Sequence, residues 1–174
     1  MEERKILLRT EKIRMEFGGL LALKDVDVDI YEGELISLIG PNGAGKTTLL
    51  NIISGIYRPT RGKVIFEGND ITNTPPENIA YRRITRTFQI PQLFTNMTVL
   101  ENVMVGFHTK INRSMLGCLF TFPWFRKEEK WVIERSTEFL EFVGLRDKAH
   151  LSVTALPYGD RKKLELARAL ALEP

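Results

Sequence analysis

The run GPNGAGKT, Gly40 to Thr47, brings together the residue types that bind phosphate, at the spacing that binding requires. Gly43 and Gly45 let the main chain turn tightly, so that successive N–H groups point inward at phosphate oxygens. A helix starting directly after the loop adds its positive N-terminal end to the same place. Lys46 is spaced to reach the β- and γ-phosphates of a nucleotide, and the Thr47 hydroxyl is spaced to ligate Mg²⁺. Gly40, Pro41, Asn42, Gly43, Ala44, Gly45, Lys46, Thr47 and Thr48 therefore form a candidate phosphate cradle. The bland alternative is a glycine-rich turn between a strand and a helix. An apolar run before the loop and a helical pattern after it decide for a nucleotide-phosphate site.

Those flanking elements follow from periodicity. Leu35–Gly40 (LISLIG) is almost wholly apolar and predicts a strand buried on both faces, as in a parallel sheet. KTTLLNIISGI after the loop predicts a helix ending near Gly55. Upstream, LLRTEKIRMEF has strand character with Ile13, Met15 and Phe17 on one face. Val26–Ile30 (VDVDI) alternates as a strand with one wet face does. KVIFEG predicts another strand, PPENIAYRR a short helix, and ITRTFQ a strand ending at Gln89. Beyond Gln89 the pattern turns helical. Thr98 and Glu101 make a capping box, and KEEKWVIERSTEFLEFVG carries Val132, Phe139 and Val143 as one stripe with Gly144 as its stop. The predicted organisation is an α/β core over residues 1–88 and a helical part over 89–174.

Composition narrows the class. The 174 residues carry 25 basic and 22 acidic side chains for a net charge of +3, interspersed and without the basic block of a nucleic-acid arm. A single cysteine, Cys118, excludes an internal disulfide and fits a reducing compartment. The charged start MEERKILLRTEK lacks the apolar stretch of a signal peptide. Ser114–Phe125 is apolar but too short to span a bilayer, which leaves packing against the protein or a membrane-facing loop.

The tail LPYGDRKKLELARAL resembles the signature loop, usually written LSGGQ, and the helix after it in ABC-type ATPases. That resemblance runs along the whole chain. It implies an α/β fold: a P-loop NTPase core of the ABC ATPase type, with an antiparallel β portion and a helical subdomain. It also implies ATP and Mg²⁺ as cofactors. Phe17 matches the aromatic that stacks on adenine; without the resemblance it reads as an ordinary inward strand residue. Gln89 matches the glutamine that reaches the metal or attacking water and senses the membrane partner; without it, Gln89 is a polar residue at a strand end. Leu156, Pro157, Tyr158, Gly159 and Asp160 match the loop that meets the γ-phosphate of a nucleotide held by the opposite subunit. Two subunits, identical or different, then share two sites.

FGGLLAL, RTFQIPQLFTNMTVLENVMVGF and the tail together resemble the LivG-like ATP-binding subunits of branched-chain amino-acid importers. The resemblance implies transport-coupled ATP hydrolysis at the cytoplasmic face of the membrane, permease partners, and indirectly a periplasmic or extracellular substrate-binding protein. It implies no nucleic acid. Alternatives within the class are urea or short-amide import and lipopolysaccharide export. Outside it stand a soluble ABC ATPase of DNA repair or translation and a non-catalytic nucleotide-binding regulator. The chain departs from the common pattern at Pro157, which has neither the hydroxyl nor the N–H of the usual serine, and at Tyr158, which stands for a glycine.

The resemblance also implies an apolar strand ending in Asp, a neighbouring Glu and a later His, and the chain contains none of these after its signature helix. His108 and His150 precede that helix and read as surface or packing residues. The expectation is a fragment of a longer polypeptide, missing the C-terminal part of its core and inactive alone.

Overall fold

The computed structural model describes residues 4–110 and 123–174. Cys118 and most of the Ser114–Phe125 run lie outside the described residues. The chain divides into two compact units, Met1–Arg82 and Arg83–Pro174, a division a few residues ahead of the 88/89 boundary read from sequence.

The first unit is built on β1 (Ile6–Phe17) and β2 (Leu20–Tyr31), long antiparallel strands joined through Gly18 and Gly19. Both glycines have positive φ, 51° and 89°, as a tight hairpin with right-handed strand twist requires. β3 (Arg61–Phe66) pairs with the other edge of β1, and the short β4 (Asn69–Asp70) pairs with β3. The sheet order is β2-β1-β3-β4, antiparallel throughout. Helix α1 (Lys46–Ile53) and the short α2 (Pro76–Tyr81) add Leu49, Ile52 and Ile79 to the buried set that includes Leu8, Ile13, Met15, Leu23 and Val64.

Two expected strands are absent. Leu35–Gly40 and Ile84–Gln89 have no strand geometry, and Leu35 and Ile39 are 96% and 90% exposed. A strand buried on both faces exists only with ladder partners at its edges and layers above and below. Among the described residues no strand pairs with either segment, so apolar composition alone does not produce the strand.

The second unit is helical. Helix α3 (Val99–Val105) opens on the Thr98/Glu101 capping box, with both reciprocal hydrogen bonds formed. It runs into a 3-10 turn at Gly106–Thr109. Helix α4 (Pro123–Phe142) is followed by Gly144 at φ 71°, and α5 (Tyr158–Leu170) completes the unit. Val103, Phe107, Leu140, Leu145, Leu164 and Ala167 form the centre of its core. The Phe107 ring meets Trp131 edge-on at 5.3 Å and lies 6.2 Å from Phe139.

Gly106 lies where this core is tightly packed. Its own backbone is right-handed helical, with φ −59°, so conformation places no demand for glycine there. Space does: a Cβ would lie 2.6 Å from both the Ala171 Cβ and the Arg168 carbonyl oxygen. Gly106→Ala is therefore expected to destabilise the protein by about 1–3 kcal/mol despite alanine's better helix propensity. Urea unfolding, read as a lower midpoint at an unchanged slope, checks this.

Candidate functional site

The sequence-derived site residues fall into two groups, one in each unit. In the first unit, residues 40–45 form an irregular loop that leads straight into α1. Gly43 and Gly45 have φ of 83° and 81°, the left-handed region that residues with a Cβ rarely enter. Gly45 is also short of space. A Cβ there would sit 2.6 Å from a Leu23 side-chain carbon and 2.7 Å from the Ala22 carbonyl oxygen. The loop is thus pressed against β2 just where the hairpin begins.

Lys46, the first residue of α1, folds back on the loop it follows. Its ammonium donates to the carbonyls of Gly40, at 2.6 Å, and Pro41, at 2.7 Å. The first turn of α1 holds no acidic side chain, so the helix's positive end is not offset by one of its own residues. Thr47 is exposed and Thr48 half-buried. N–H groups at a helix start, a lysine and a hydroxyl are the groups that phosphate binding uses.

Phe17 ends β1 and pairs with Leu20 across the Gly18–Gly19 turn, two residues from the Ala22 carbonyl that Gly45 meets. It is 40% exposed, unlike Ile13 and Met15 before it, and its ring meets Tyr57 edge-on at 5.5 Å. Phe17 therefore leaves the inward stripe that the strand's alternation suggests.

In the second unit, Leu156 is buried while Pro157, Tyr158 and Gly159 are exposed at the start of α5. Pro157 occupies the helix cap without any side-chain cap bond, and its carbonyl accepts the first helical bonds, from Asp160 and Arg161 N–H at 3.0 Å. Asp160 in the first turn complements the helix dipole and accepts from Lys148 at 2.5 Å, with Lys163 at 3.5 Å. The Lys148 hydrogen bond, then the charges of Lys148 and Lys163, hold the Asp160 carboxyl below its ordinary 3.8, against partial desolvation. Gln89 is exposed, and its main-chain carbonyl accepts from the Tyr158 hydroxyl at 3.2 Å and from the Lys162 ammonium.

Several residues that organise this group carry no sequence signal of their own. Arg161 donates to the carbonyls of Leu156 and Thr154, both at 2.9 Å, and so fixes the loop ahead of α5. Buried Asn102 accepts from Phe94 N–H at 2.9 Å and donates to the Phe94 and Thr98 carbonyls. Its only hint is a polar residue on the buried stripe of α3, between Val99 and Val103. Both histidines are exposed, as expected, with His108 Nδ1 3.0 Å from the Val105 carbonyl.

A left-handed glycine loop capping a helix, with lysine and threonine at the helix start, defines a nucleotide-phosphate-binding domain of the P-loop kind. A sequence profile described as ABC transporter matches residues 23–174, and the chain belongs to that family. Over 168 residues it is 39% identical to the high-affinity branched-chain amino acid transport ATP-binding protein LivG of Escherichia coli (strain K12), a match covering 97% of this chain. The fold is that of an ATP-binding cassette. It superposes with a TM-score of 0.77, at 39% identity over 97% of the chain and 66% of the other, on a cassette of an ABC transporter in its ADP conformation. A dimeric cassette in a post-hydrolysis state, bound to ADP and Pi, gives 0.77 at 30% identity over 97% and 71%. The chain spans 66% of the length of LivG. No helix among the described residues is long and apolar enough to cross a membrane.

The Asp160 ion pairs generate a pH dependence. A carboxyl whose folded pKa is depressed stabilises the fold above its unfolded value, and that contribution is lost as pH falls through the folded value. Asp160→Asn is expected to lower Tm at pH 7. The gap should begin to narrow as pH falls past 3.8, where the unfolded chain's carboxyl takes up its proton, and close only as pH passes through the lower folded value. Thermal melts of both proteins across that range check it.

Proposed function

We propose that the chain is the phosphate-loop and signature-loop portion of an ABC transporter's ATP-binding subunit, which couples ATP binding and hydrolysis to import of branched-chain amino acids. The observation that carries the reading is the loop at Gly40–Gly45, with its two left-handed glycines, its Lys46 ammonium and the start of α1 behind it. The cargo class rests on the likeness to LivG.

In this reading Gly40–Gly45 and the first turn of α1 bind the nucleotide's phosphates, Lys46 exchanges its loop carbonyls for phosphate oxygens, and Phe17 stacks on the base. Thr47 holds Mg²⁺, which when bound neutralises charge on the β- and γ-phosphates. Residues 156–160 act on the nucleotide of a second ATPase subunit, a role in keeping with the dimeric relative. Gly159 supports this. A Cβ there meets nothing within 4 Å, so nothing within the fold calls for glycine at an exposed helical position, whereas close approach of an outside group does. Permeases bind on the cytoplasmic side of the membrane, Gln89 carries the coupling to them, and a substrate-binding protein delivers cargo from the other side.

Lys46→Ala in the full-length protein tests the site. It removes a charge-assisted contact of about 1.5–3 kcal/mol, so Kd for ATP should rise roughly ten- to 150-fold by calorimetry. Unchanged affinity rejects the phosphate-loop assignment. Gln89→Ala tests the coupling: in the full-length protein assembled with its membrane partners, transport should fall further than ATP affinity, and equal loss of both counts against the role.

A further inference from the structure

One face of α5 carries Tyr158, Lys162 and Glu165, spaced four and three residues apart and so aligned along the helix. All three side chains end on the main chain of Phe88 and Gln89. Glu165 Oε1 accepts the Phe88 N–H at 3.0 Å. The Lys162 ammonium donates to the Phe88 carbonyl at 2.7 Å and to the Gln89 carbonyl. The Tyr158 hydroxyl donates to the same Gln89 carbonyl at 3.2 Å. Two successive residues of a segment with no strand or helix of its own are thus held by a single helix.

Charge makes this grip stronger than a set of neutral contacts. Both Lys162 bonds and the Glu165 bond have an ionised partner, which roughly doubles the strength of a hydrogen bond. Glu165 is 1% exposed, and its Oε2 has no hydrogen-bond partner among the described residues. The Lys162 ammonium lies 4.0 Å from that Oε2 and compensates the carboxylate. A buried carboxylate compensated in this way is costly to displace. The Gln89 side chain itself stays exposed.

We propose that Tyr158, Lys162 and Glu165 are positioning residues for Gln89: the helix behind the signature loop grips the main chain at Phe88–Gln89 and sets where the Gln89 side chain is presented. A shift of α5 along its axis then moves Gln89 with it, so the signature helix and the coupling glutamine respond as one body. The grip stands on the hydrogen bonds alone, while its consequence for transport rests on the role given to Gln89 above.

The experiment has two arms. In the first, main-chain amide exchange over Arg86–Ile90 is followed by mass spectrometry in the 174-residue chain, with the Val99–Val105 helix as internal reference. Lys162→Met keeps the side-chain stem and removes two charge-assisted bonds, so exchange in the segment should quicken about tenfold or more while the reference is unmoved. The Y158F/K162M double variant should be faster still. In the second arm, the ratio of substrate carried to ATP hydrolysed is measured for K162M and for Gln89→Ala in the full-length protein with its membrane partners. Both ratios should fall together. Unchanged exchange in both Lys162 variants overturns the grip, whatever Gln89 does. Quicker exchange with an unchanged K162M ratio overturns the positioning role. A ratio lowered by K162M but not by Gln89→Ala removes the reading of Gln89 and, with it, the consequence for transport, while leaving the grip in place.

Discussion

An irregular main chain still carries one donor and one acceptor per residue, and each must find a partner. Several stretches beside this protein's candidate chemistry are irregular, and side chains from neighbouring helices complete them. Lys46 of α1 takes the Gly40 and Pro41 carbonyls, and Asn102 of α3 takes the N–H and carbonyl of Phe94. Arg161 of α5 holds Thr154 and Leu156, and Lys162 with Glu165 holds Phe88 and Gln89. The helices therefore supply both the packing of the fold and the anchoring of its loops. Most of these anchors are charged, and an ionised donor or acceptor makes the stronger bond where no ladder exists.

Glycine meets the complementary demand. At Gly45 both conformation and space require it, since its φ is 81° and the Leu23 and Ala22 atoms leave no room for a Cβ. At Gly106 space alone requires it, and at Gly159 neither does. Two of these glycines thus answer two different constraints, a turn pressed on a sheet and a close contact between elements of one core, and the third answers none within the fold. The last is the kind that a fold viewed alone leaves unexplained.

Sequence patterns exposed the elements whose stabilising partners are local. The capping box at Thr98 and Glu101, the helix ended by Gly144 and the loop-to-helix start at Lys46 depend on contacts within a few residues. LISLIG and ITRTFQ failed as strands because a strand needs a distant partner, and apolar composition does not supply one. Phe17 left its stripe at the end of β1, beside the hairpin turn and past the register shift between Met15 and Glu16, which alternation does not reveal. The anchors of the second unit were illegible for another reason. Arg161, Lys162 and Glu165 look like the wet and dry faces of an ordinary helix, and their partners are backbone atoms, which every residue has.

The departure of LPYGD from the common signature follows from the same accounting. A serine at Pro157 would cap α5 with its hydroxyl, and a proline cannot. Its fixed φ, −57° here, instead presets the turn into the helix, while Asp160 in the first turn satisfies the helix dipole that a capping side chain would otherwise meet. Tyr158 then brings a hydroxyl back into the motif one residue later. That hydroxyl donates inward, to the Gln89 carbonyl. The residue remaining free of both internal roles is Gly159, whose bare backbone faces open space. These departures thus move the motif's side-chain bonding from the helix cap to the Gln89 segment and leave Gly159 without an internal role.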